Sequence, residues 1–102
     1  MKELLAFLEA RIAEDAQSAF KHHESASSRG LGDYTAHVIA DCEAKRSILK
    51  SYHSCRDAEA TTQELGPKLV SSGMTKGLEI ALKCIAGTYR NHPDYQEEWA
   101  KS

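Results

Sequence analysis

The sequence predicts an all-α fold: an antiparallel three-helix bundle with a short C-terminal helical turn packed back on it. Three observations predict it. Apolar residues recur every third or fourth position in three separate stretches, the period of helices that bury one face. The strongest breakers stand between those stretches, at Gly30 and Gly32, at Gly66-Pro67 and at Pro93. The chain has 102 residues, enough for a single helical domain over 1–102 but few enough that stability depends on good packing or a partner.

The first helix is expected from about 2 to 23. Leu4, Leu5, Leu8, Ile12, Ala16, Ala19 and Phe20 fall on one face, with Glu3, Arg11, Glu14 and Lys21 on the other. Its alanines favour helix intrinsically. Small polar residues and two glycines over Ser25–Gly32 read as a loop, and Asp33 reads as an N-cap for the second helix.

The second helix is expected over 34–62. Val38, Cys42, Leu49 and Tyr52 form its stripe, broadened by Ala44 and Ile48. Lys45 and Arg56 intrude on that stripe, where their stems cover apolar surface while the charges reach water. Asp41 and Lys45 stand four apart, acid first, the favourable order for a helix-surface ion pair.

A third helix is expected to start anywhere from Pro67 to Met74 and to end near 90. Proline suits a first turn but not an interior. Val70, Met74, Leu78, Ala81, Leu82 and Ile85 keep the period, while Gly73 and Gly77 weaken it. A last short helical turn is expected over 93–99, with Tyr95 and Trp99 four apart on one face.

Charge and cysteine usage exclude whole classes. The net charge is −2, and Lys45-Arg46 is flanked by Asp41 and Glu43, so a strongly basic nucleic-acid domain is excluded. Cys42, Cys55 and Cys84 are odd in number and widely spaced, against a disulfide framework and for a reducing compartment. The apolar start Leu4–Leu8 is broken by Glu9 and Arg11, so no signal peptide is expected, and no stretch approaches a membrane span. A cytoplasmic protein is therefore expected.

Several constellations carry possible chemistry. His53, Cys55 and Cys84 would supply three zinc or thiol-chemistry groups if the second and third helices meet there, but His-x-Cys is not the usual paired-cysteine spacing. His37 and Asp41 share a helix face, yet two ligands do not make a metal site. His22-His23 suits the negative end of the first helix dipole. Asp94, Glu97 and Glu98 read as a solvated acidic tail. Lys45, Arg46, Lys50 and Arg56 would serve a nucleic-acid-associated regulator. Tyr95 and Trp99 either cap the core or anchor a partner. No phosphate-cradling glycine loop, nucleophile elbow or HExxH motif occurs.

Three segments, LAFLEARIAED over 5–15, CEAKRSIL over 42–49 and HPDYQEEW over 92–99, together resemble a family of short proteins from actinobacteria and their bacteriophages, a domain of unknown function. The resemblance implies an actinobacterial or actinophage origin and no activity. With no catalytic motif beside it, the expected protein is a non-enzymatic interaction module without a cofactor, binding a protein partner, itself or a host protein. A homodimer fits, because Leu31, Ile39 and Ile80 add apolar surface beside the stripes.

Overall fold

The computed structural model describes residues 1–28 and 32–100; the side chains of residues 22–28, 32 and 33 are outside that description. Helix α1 runs Lys2–Ser28, α2 Gly32–Thr61 and α3 Leu65–Gly87, followed by a 3-10 turn at Glu97–Ala100. Lys45 on α2 reaches Tyr89 while Tyr52, seven residues on, reaches Glu79, so α2 and α3 run antiparallel. The outcome is the three-helix bundle with its short tail turn. It is drawn out and flattened, with extents of 56 × 26 × 16 Å. Helix α2 lies between its neighbours, packing along both, and α1 touches α3 only sparsely.

The core is made by Leu4, Phe7, Leu8, Ile12 and Ala16 of α1, Cys42, Leu49 and Tyr52 of α2, Leu82 and Ala86 of α3, and Trp99. The α1 and α2 stripes are those the periodicity gives, except that Phe20 and Ala44 are exposed. Helix α3 differs. The period puts Val70, Met74, Leu78, Ala81, Leu82 and Ile85 on its buried stripe; Leu82 is buried there, but Val70 and Met74 are exposed, and Thr75 and Ala86 are buried instead. Leu78 and Ile85 are partly buried against the core.

Element ends also differ from expectation. Helix α1 continues through Ser25–Ser28 instead of giving way to a loop, because serine and alanine tolerate helix and no glycine or proline intervenes before Gly30. Arg29, Gly30 and Leu31 lie outside the described residues, as does any contact of the His22 and His23 side chains. Asp33 falls inside the first turn of α2 rather than at its N-cap. Helix α3 starts two residues ahead of Pro67, on the extended Glu64. Proline at its third position loses nothing, since the first amides of a helix have no intrahelical acceptor. The helix ends at Gly87 rather than near 90, with the Thr88 amide reaching the carbonyls of Ala86 and Ile85. The tail bends in turns instead of a helix starting at Pro93, so Tyr95 and Trp99 meet by ring contact, 5.4 Å between centroids, rather than by helical spacing.

Candidate functional site

Two polar clusters tie the bundle together. Lys45 Nζ donates to Tyr89 Oη at 3.1 Å, and Tyr89 Oη donates to Asp15 Oδ2 at 2.7 Å. Lys45 also pairs with Asp41 at 2.9 Å, as their spacing predicts, and sits 5.0 Å from the Tyr89 ring centre. Burial alone would lower the Lys45 ammonium, but hydrogen bonds to Asp41 and Tyr89 outweigh it and hold the group above its ordinary range. Burial pushes the Tyr89 hydroxyl up, helped by Asp15 and opposed by Lys45. Burial, then Asp15, also raises the Cys42 thiol, which keeps it protonated and unreactive.

The second cluster fastens the tail. Arg11 Nη1 donates to the His92 ring, Nη2 pairs with Glu14 at 2.9 Å, and Asp94 lies 3.8 Å away. Phe7 stands among Tyr89, His92, Tyr95 and Trp99, with ring centroids 5.0–6.2 Å away. Trp99 is only 6% exposed and Tyr95 is partly buried, so the tail aromatics cover the end of the core.

The zinc-type residues are not brought together. His53 is exposed and 3.9 Å from Glu9, Cys55 borders a groove with Met74 and Leu78, and Cys84 lies in another groove beside Ile80 and Tyr95. Among the described residues no three His, Cys, Asp or Glu side chains converge to hold a metal. His37 is exposed on α2, and Asp41 beside it is held by Lys45. The basic residues of α2 are similarly divided. Lys45 is engaged by Tyr89. Arg56 donates to Tyr52 Oη at 2.9 Å, which donates to Glu79 at 3.3 Å. Helical spacing turns Arg46 and Lys50 roughly 100° or more away from Lys45.

The outer face of α3 is the feature that sequence periodicity missed. Leu65, Leu69, Val70, Met74 and Ile80 are 72%, 62%, 63%, 54% and 58% exposed. Alternate steps of four and three from Gly66 reach Val70, Gly73, Gly77, Ile80, Cys84 and Gly87, a seam of small and apolar residues opposite Thr75 and Leu82. A side chain at Gly66, Gly73 or Gly77 would meet nothing within 4 Å. The chain carries only a partial signal of it: α3 has apolar residues around most of its circumference, which marks a helix with more than one covered face but not which face turns outward. Counting one stripe hid the second. Toward its C-terminal end the seam opens into an apolar groove of about 280 Å³ between Ile80, Cys84 and Gly87 on one side and Tyr95 and Trp99 on the other, with Lys83 and Arg90 at its edge.

No helix among the described residues is long and apolar enough to cross a membrane. No curated protein and no solved structure matches the chain. A family model matches residues 1–101. On that match, which takes in all three helices, the groove and the tail, the chain belongs to the family of unknown function DUF6221.

Proposed function

We propose that this protein is a non-enzymatic helical interaction module that acts by binding protein through the outer face of α3. The observation that carries the reading is the exposure of Leu65, Leu69, Val70, Met74 and Ile80 along one helix. Single exposed apolar residues are ordinary, but a contiguous row with a groove at its end is a binding surface that water leaves unsatisfied. The glycines between them support the same reading. In a helix interior each glycine costs stability, roughly 0.5–1 kcal/mol relative to alanine, and a glycine row lets a second backbone come close. The tail aromatics contribute to binding as the wall of the groove: Trp99 stays buried and presents an edge.

The setting we propose is the cytoplasm of an actinobacterium, with the protein encoded there or by a bacteriophage; the sequence resemblance supports it. The test is capture from an actinobacterial lysate on immobilised protein, beside a Leu69→Glu/Met74→Glu variant. The expected result is a defined protein retained by the natural chain and lost from the variant, while both give the same helical circular dichroism. An identical retained set on both would overturn the reading.

A further inference from the structure

We propose that the partner of this face is a second copy of the chain, with two α3 helices packed antiparallel about a twofold axis beside Gly77. The inference rests on the binding reading above and adds the occupant. It comes from how the features are distributed along one helix. The projecting residues Leu65 and Leu69 stand in its first part, and the groove around Gly87 stands in its last part. Helical spacing puts Leu65, Leu69, Lys83 and Gly87 on the same flank of the seam. A twofold axis between antiparallel helices keeps each flank on its own side and reverses position along the helix.

With Gly77 at the centre, Leu69 lies eight residues to one side, about 12 Å. It therefore meets position 85 of the other helix, between Lys83 and Gly87. Leu65 meets position 89, beside the Tyr95–Trp99 wall. Val70 meets Cys84, and Ile80 meets Met74 next to the open Gly73, so each crossing sets apolar or small residues together. The fit is made twice by the symmetry. A parallel pair would instead set Ile80 against Ile80 and leave both grooves empty.

The area is sufficient. Five exposed apolar side chains, on the order of 100 Å² each, give about 1,000 Å² over two copies before the groove walls are counted. That reaches the lower edge of specific interfaces and suits a dimer of micromolar strength. Lys76 of one copy faces Lys76 of the other near the axis. Salt therefore tightens the dimer, by a factor of roughly two to five, once this exposed repulsion is screened.

The experiment is sedimentation equilibrium of the full chain beside Gly77→Glu and Val70→Cys variants. The natural chain is expected to dimerise and Gly77→Glu to remain monomeric while melting, when dilute, no lower than the natural chain, because its new side chain enters open space and replaces a helix glycine. Under mild oxidation Val70→Cys is expected to give a covalent dimer joining position 70 to Cys84, seen in the peptide masses. A dimer that Gly77→Glu leaves intact, or a natural chain that links Cys84 to Cys84, overturns the arrangement. A monomer up to about 1 mM overturns the second copy. If α3 variants then still abolish lysate capture, the binding reading stands without it; if neither self-association nor capture depends on α3, both fall.

Discussion

Tyr89 sits just past the end of α3, and its hydroxyl holds Asp15 of α1 and Lys45 of α2 at once. Removing it takes the donor from the Asp15 carboxylate and leaves Lys45 with Asp41 in a partly buried place, so Tyr89→Phe is expected to cost about 1–3 kcal/mol in urea unfolding. The same residues set a pH dependence. Lys45 and Tyr89 both bind their protons more tightly folded than unfolded. Their contribution is therefore complete below about pH 10 and is lost as pH rises through the folded-state values. Unfolding followed from pH 7 to 11 is expected to show an alkaline fall that Tyr89→Phe flattens. A fall on the acid side that Tyr89→Phe removes would contradict this assignment. The Asp41–Lys45 pair was legible from spacing alone. Tyr89 was not, because Asp15, Lys45 and Tyr89 are far apart in the chain and meet only once the helices pack.

At the scale of elements, α1 and α2 could be read because each has one apolar stripe and a polar remainder. Leu4, Leu8, Ile12 and Ala16, and Cys42, Leu49 and Tyr52, are buried where the period puts them. Helix α3 misleads because it has two stripes. Its apolar residues support a buried face running from Val70 and Met74 to Leu82, and packing keeps Leu82 but takes Thr75 and Ala86 in place of the first two. Serine runs and proline misplace element ends for a related reason: both tolerate the outer turns of a helix. The two faces of α3 make opposite predictions. Leu82→Ala empties a fully buried site and is expected to cost about 2–5 kcal/mol. Leu69→Glu, on the outer face, is expected to change folding of the monomer by no more than about 0.5 kcal/mol. Thermal or urea melts of the two variants at low protein concentration decide it. Equal losses would mean that both faces are packed inside one chain.

The whole molecule is a flattened bundle that leaves one apolar side uncovered. That shape follows from α2 lying between α1 and α3: the middle helix is sheltered on both flanks, while among the described residues α3 has no helix on its far side. The candidate surface is the part least legible in the sequence. Tyr95 and Trp99 stand out by residue type, whereas the open row of Leu65, Leu69, Val70 and Met74 is visible only once Leu82 and Ala86 are known to face inward. The most direct measurement is hydroxyl-radical footprinting with mass spectrometry, at low concentration and again in the assembled or partner-bound state. Leu69 and Met74 should be labelled heavily in the dilute chain and protected in the complex, with Leu8 and Leu82 protected in both. Protection of Leu69 and Met74 in the dilute monomer, or equal labelling in both states, would contradict the account.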